Sequence, residues 1–317
     1  MVGLDTGLWE LMAKNGDRPQ KVGELAASLD IDPALLSEYK PTNFSLAMSL
    51  PPIRSIYVGM VAAGSFPTVI KFHEFCRERG WKTPKDHKDT CMMYALNTNE
   101  NFFTFTQRQG YTAEINEFMK AKCLSNTKWV EPGFYPVKER LIDGADTAPE
   151  APFLVDIGGS GGHDLEDLKH YYPDTPGKLI LQDLPAVIQE IKDLDPSIIR
   201  MEYNFYDEQP VKGARAYYMK TVLHDWNDSV CETILARVKE AMTPRYSKLL
   251  IQDLVVPTTR PSYYDTSLDM TMLTVLSAKE RTEAEWRSLL EGKAGLKVAR
   301  VWRPGRIGES VIECELP

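Results

Sequence analysis

The chain reads as two parts of different class, a mainly helical stretch over residues 1–145 and a doubly wound α/β domain with a mostly parallel sheet over residues 146–317. Three observations predict this. From Phe153 onward, short apolar strand-like runs alternate with helical stretches; before it no such alternation occurs; and the run DGADTAPEAP, residues 143–152, mixes Gly, Pro and acidic residues as linkers do.

In chain order, Leu8 to Lys14 and Val22 to Leu29 are amphipathic, and Asp32-Pro33 is a helix-start signal. Lys71 to Gln109 is rich in aromatics, including Phe72, Phe75, Trp81, Phe102, Phe103 and Phe105, which suits either a helical core or subunit interface, or the wall of an aromatic substrate pocket. Beyond the linker, FLVDI is a buried strand, GGSGG a turn, HDLEDLKHYY a helix, KLILQDL a strand and PAVIQEIKDL a helix opening on proline. Ile199 to Tyr203, ARAYYMKTVL and SKLLIQDLVV continue the strands, with SVCETILARVKEAM as a helix between the last two. LKVARVWRP and SVIECEL, separated by a Gly-Arg-Ile-Gly turn, read as an antiparallel pair at one sheet edge.

Bulk properties narrow the function. With 317 residues, 43% hydrophobic and 26% charged, the chain has room for two cores, and no apolar run is long enough to span a bilayer. The opening residues lack the basic start and small-residue cleavage site of a signal peptide, so a cytoplasmic location is expected. Five cysteines, Cys76, Cys91, Cys123, Cys231 and Cys314, lie far apart, without the paired spacing of zinc or redox motifs. A formal charge of -8 opposes attraction to a phosphate backbone, so nucleic acid is not expected as a partner.

The chemistry concentrates at strand ends. In LVDIGGSGGHD, residues 154–164, a strand ending in Asp156 runs into Gly158, Gly159, Gly161 and Gly162 before a helix. Glycines admit a ligand close to the backbone, and the helix start offers free N–H groups. The glycines stand in adjacent pairs, unlike the spaced G-x-G-x-x-G of nicotinamide enzymes. Asp183, 25 residues past Gly158 at the tip of the next strand, can take both hydroxyls of a ribose; its alternative role is a cap for the helix opening at Pro185. His224, in YYMKTVLHDWND, follows the fourth strand at the edge where such sheets bind ligands, and Asp253 and Glu280 recur at later junctions. His163 and Asp164 read as a helix start and not as a metal pair; no metal is expected.

FLVDIGGSGGHDLEDL, LILQDLPAVI, PVKGARAYYMKTVLHDWND, SKLLIQDLVVP and SAKERTEAEWRSLL, in this order, resemble the successive motifs of plant and fungal S-adenosylmethionine (SAM)-dependent small-molecule O-methyltransferases. EPGFYPVKERLIDGAD and VGELAASLDIDPALL also resemble the fungal members. The resemblance implies a Rossmann-like, mostly parallel seven-stranded catalytic domain behind an N-terminal helical, winged-helix-like dimerisation domain, and a homodimer. It implies His224 as general base, with Asp253 and Glu280 orienting the imidazole. It implies SAM held by Asp156, Gly158, Gly159, Gly161, Asp183, Leu184, Asn204 and Phe205, with Lys220 as a further SAM contact and Phe134, Trp226 and Met272 as substrate neighbours. The substrate it implies is an aromatic or polyketide-type small molecule bearing a hydroxyl.

The chain departs from that family in places. Asn204 stands where an aspartate usually contacts adenine, so a charge-assisted contact is lost. Ser37 runs directly into Glu38, where the family has a further helix and strand. Lys220 also fits a related branch that has given up methyl transfer for pericyclic cyclisation, where a cationic residue on this strand activates a substrate carbonyl. The winged-helix opening alternatively suggests DNA binding, against which stand the acidic charge and the missing recognition helix.

Overall fold

Local sequence signals set the helices of the first part. The computed structural model describes residues 5–16, 18–36, 42–57, 64–125, 127–305 and 308–317, so the Ser37–Glu38 junction lies outside the described residues. Before the sheet come α1 (Leu8–Asn15), α2 (Val22–Leu29), α3 (Asn43–Ala47), α4 (Pro51–Ser55), α5 (Phe66–Glu78), α6 (Cys91–Leu96), α7 (Phe102–Arg108) and α8 (Thr112–Ser125). Thr90 and Asn101 start α6 and α7 by accepting the Met93 and Thr104 N–H groups at 3.1 and 2.9 Å, which satisfies donors that a helix leaves free. The described residues before Pro152 add no strand to the large sheet.

The apolar runs after the linker become parallel strands β1 (Pro152–Ile157), β2 (Lys178–Asp183), β3 (Ile199–Glu202), β4 (Ala216–Lys220) and β5 (Lys248–Asp253). Then follow the short β6 (Val255–Val256) and β7 (Arg281–Thr282), which pair with each other, and the antiparallel β8 (Lys297–Trp302) and β9 (Ser310–Glu315). The large sheet has seven strands in the order β3-β2-β1-β4-β5-β9-β8, with the antiparallel pair at one edge as expected. Its connections carry α9 (His163–Tyr171), α10 (Pro185–Glu190), α11 (Asp228–Ala241), α12 (Tyr263–Thr271) and α13 (Glu283–Arg287).

Three expected elements end early, the first being the helix read over PAVIQEIKDL, which stops at Glu190. The run ARAYYMKTVL stops as a strand at Lys220, because Thr221 adopts φ +48° and turns the chain; Val222 and Leu223 are apolar because they are buried, not because they are extended. SKLLIQDLVV splits after Asp253, and its last residues leave the sheet to pair with β7.

Alternation builds the core on both faces of the sheet. Val155, Tyr217, Met219, Leu249 and Ile251 face one side, against Val230, Ile234, Leu235 and Val238 of α11. Leu154, Ala216, Tyr218 and Leu250 face the other, against Leu165 and Leu168 of α9. Trp129, Phe134, Tyr135, Val137 and Leu141, ahead of the linker, are buried in this second layer. A separate cluster joins Met92, Phe102 and Phe105 to Met272, Val275 and Leu276, so helices α6 and α7 pack on the segment after α12. Cys91, Cys231 and Cys314 are buried free thiols and Cys76 is half-buried. No helix among the described residues is long and apolar enough to cross a membrane.

Candidate active site

The residues of interest gather at the carboxyl ends of β1 to β5. The chain winds outward from β1 to β2 and β3, then returns to β4 on the other side, which opens a crevice between β1 and β4. Asp156 and Tyr218 are register partners across it, so β1 and β4 present Asp156 and Lys220 on its two sides.

The glycine loop is shaped by near contacts that a side chain would destroy. Gly158 has φ +74°, and a Cβ there would come 2.9 Å from Val222 Cγ2; at Gly159 it would come 2.4 Å from Asp156 Oδ2 and 2.5 Å from Leu181 Cδ1. At Gly161 a Cβ would meet only the His163 ring, at 3.1 Å.

Asp183 lashes this loop to the second strand. Its Oδ2 accepts the Ser160 N–H at 2.8 Å and its Oδ1 accepts the Leu184 N–H at 2.7 Å. Burial raises the Asp183 carboxyl above its ordinary range, and those two N–H groups pull it back. The capping alternative is not what forms: Leu184 occupies the cap position of α10, without a side-chain hydrogen bond. Leu184 itself is exposed beside the loop.

Asp156 is the oddest group. It is 1% exposed, and neither carboxylate oxygen has a hydrogen-bond partner. Burial, then the charge of Asp164, push its carboxyl well above the usual range, with Lys220 opposing. A buried orphan carboxyl at a strand tip is costly and needs a reason.

Lys220 does not project freely. Its Nζ lies 2.9 and 3.0 Å from the two oxygens of Asp164, in the first turn of α9, and both side chains are nearly buried. Asp164 thus follows the expected helix start, with Lys220 as its ionic partner. His163 instead faces Glu166 at 3.6 Å on the surface.

His224 sits on a short turn, Leu223–Asp225, directly after β4, and is 5% exposed. Its Nδ1 lies 2.7 Å from Glu280 Oε1 and 3.7 Å from Asp253 Oδ1, and its Nε2 3.4 Å from Asp225 Oδ1. The β6–β7 pairing is what assembles this group, since Asp253 enters β6 through Leu254 and Glu280 immediately precedes β7. Burial alone would push the imidazole down; the carboxylates of Asp225, Asp253 and Glu280 outweigh it and hold the pKa up to about 10. The ligand atoms of His224, Asp253 and Glu280 also lie within 4.8 Å of one another, close enough to share a cation.

Asn204 and Phe205 follow β3. The Asn204 side chain accepts the Tyr206 N–H at 3.1 Å and is exposed, while Phe205 meets Tyr206 and Trp226 edge-on at 5.1 and 5.9 Å. Trp226 is half-buried and stacks with Phe103 of α7 at 6.4 Å, bringing the aromatic segment of the first part over the His224 turn. Phe134 and Met272 are core residues in two different clusters. A cavity of about 520 Å³ lined by Arg140, Arg215, Tyr246 and Lys248 lies at the opposite, amino ends of β4 and β5 and is not continuous with these groups.

The fold is that of known enzymes. Residues 137–297 match the model of the O-methyltransferase domain. The chain is 34% identical over 293 residues to O-methyltransferase mfmE of Annulohypoxylon moriforme, the match covering 92% of this chain and 71% of that one. The chain belongs to the O-methyltransferase family.

Among solved structures, LepI in complex with SAM superposes with a TM-score of 0.87 at 26% identity, covering 100% of this chain and 84% of that one. A pericyclic reaction enzyme superposes with a TM-score of 0.85, also at 26% identity, covering 100% and 85%. The chain spans 59% and 61% of two further fungal methyltransferase relatives. Nothing in the sequence singles out Arg281, whose only signal is its place beside Glu280, or the pairing of Asp164 with Lys220, which residue order does not reveal.

Proposed function

We propose that the chain is a SAM-dependent O-methyltransferase acting on a hydroxyl of a small aromatic or polyketide-type metabolite, with His224 as general base. The observation that carries this reading is an imidazole buried among carboxylates at the same strand edge as a glycine cradle and an orphan buried carboxyl. What speaks for the cofactor is Asp156, whose two carboxylate oxygens are unsatisfied beside a loop that packs too closely on Val222, Asp156 and Leu181 for any residue but glycine at 158 and 159. Asp156, the glycine loop, Asp183, Leu184, Asn204 and Phe205 are its proposed holders.

When bound, SAM supplies a methyl group already activated by a sulfonium charge. The chain's own task is to orient the acceptor and draw off its proton. A phenol of pKa near ~10 is a poor nucleophile until that proton leaves. Glu280, at His224 Nδ1, fixes the tautomer that keeps Nε2 available and stabilises the imidazolium after transfer. Purified protein incubated with SAM and a panel of phenolic polyketides and hydroxylated pyridones should form S-adenosylhomocysteine (SAH). Tight SAH binding without turnover across the panel would reject methyl transfer.

That second outcome favours a pericyclase of the same fold, for which the likeness to a pericyclic reaction enzyme and the position of Lys220 at the β4 tip speak. Lys220 is held by Asp164, so in that role it would have to share its ammonium with a substrate carbonyl.

A homodimer through the helical part completes the proposal. Phe66, Val69 and Ile70 of α5 are each about 60% exposed and spaced to form one apolar face, a surface that a second copy would cover. Sedimentation equilibrium should give twice the chain mass, and a monomer for Val69→Lys; a wild-type monomer would reject the dimer.

A further inference from the structure

We propose that Arg281 is a positioning residue for His224, holding the short turn that carries the imidazole against its carboxylate partner. This rests on the reading of His224 as the base. Arg281 is fully buried, and a buried guanidinium is tolerated only when its donors are met. Here they converge on one piece of chain. Nη1 donates to Leu223 O at 3.1 Å and Nη2 to Trp226 O at 2.9 Å, the two carbonyls that bracket His224 and Asp225. Nε and Nη2 donate to Asp228 Oδ1 at 3.2 and 2.9 Å, at the first turn of α11. The planar fork thus grips the turn before the imidazole, after it, and at the helix that follows.

Arg281 and Glu280 are consecutive, so the clamp on the turn and the acceptor for His224 Nδ1 share one rigid segment. Pairing of Val255 with Arg281 fixes that segment against the strand leading from Asp253, and Asp269 Oδ1 accepts the Glu280 N–H at 3.0 Å. The turn therefore cannot drift from Glu280 without breaking the clamp. Lysine keeps the charge but carries its three donors on one nitrogen, without the spread of the planar fork, so it cannot hold two carbonyls and a carboxylate together.

Among the described residues, the charged groups facing the imidazole are Asp225 on its own turn, Asp253 at the end of β5 and Glu280 before β7, with Asp228 neutralising Arg281 behind it. Loosening the turn lengthens the ring's contacts to Asp253 and Glu280, which lie on other segments, so the ring should lose affinity for its proton. The full chain with ¹³Cε1-labelled histidine, titrated by NMR and with the His224 signal assigned through its loss in His224→Gln, tests this. In Arg281→Lys the His224 midpoint should fall by at least one pH unit, in Glu280→Gln by a similar amount, and in Asp228→Asn by less. An unchanged midpoint in folded Arg281→Lys overturns the proposal. If that variant shows no cooperative melting, Asp228→Asn, altered at a partly exposed carboxylate, decides by its smaller fall in the midpoint or the absence of any fall. Methyl transfer unaffected by His224→Ala would sink the base reading while leaving the clamp standing, so the two failures are distinguishable.

Discussion

Glu280 Oε1 stands 2.7 Å from His224 Nδ1, across 56 residues of sequence, and both side chains are buried. A carboxylate so placed acts on the ring in two ways, by fixing which nitrogen carries the proton and by raising affinity for a second one. The first consequence concerns catalysis. With His224→Ala, SAH formation should fall by at least about a hundred-fold, the usual loss for a missing general base, while SAH affinity by calorimetry stays within a few-fold of wild type. An undiminished rate would remove His224 from the reaction.

The pH dependence follows from the same contact. The folded-state pKa of His224, held up to about 10, lies above its ordinary value near 6.5, so its charged form stabilises the fold fully below about pH 6.5 and that stability is lost as pH rises through about 10. Urea midpoints of wild type should therefore drop between pH 8 and 10.5 more than those of His224→Gln. Since the base must be neutral to accept a proton, kcat/KM should climb through the same alkaline range. A rate plateau reached already at pH 7 would contradict the carboxylate arrangement.

Gly159 offers a steric test of the cradle. Gly159→Ala places a methyl 2.4 Å from Asp156 Oδ2 and 2.5 Å from Leu181 Cδ1, forcing the loop outward. SAH affinity should weaken by more than about tenfold, well beyond the effect of Gly161→Ala, where only the His163 ring must yield. Equal calorimetric affinities for the two variants would place the ligand elsewhere.

Lys220 separates a structural tie from a ligand contact. Lys220→Met leaves the nearly buried Asp164 with the Tyr218 hydroxyl but without its ionic partner, and should cost about 2 kcal/mol or more of stability by urea unfolding. If Lys220 also meets a bound molecule, Asp164→Asn, which keeps the ammonium, should preserve turnover far better than Lys220→Met. Identical turnover in both would limit Lys220 to the tie.

By itself the sequence determined the sheet, the position of the glycine loop, the acids at the strand tips and the histidine after β4, because each is a local signal: an apolar run, a turn that only glycine permits, a residue at a strand's end. Those features survive any context that lets the strands pair. Only the tertiary structure decided that Lys220 is bound to Asp164, that Phe134 and Met272 are core, and that Thr221 cuts short an apolar run that reads as strand throughout. It also decided that Arg281 grips the turn carrying His224, since the segment that β6–β7 pairing holds in place meets a turn more than fifty residues earlier in the chain. Side-chain pairing at such separations depends on where the backbone returns, and no spacing in the sequence encodes that.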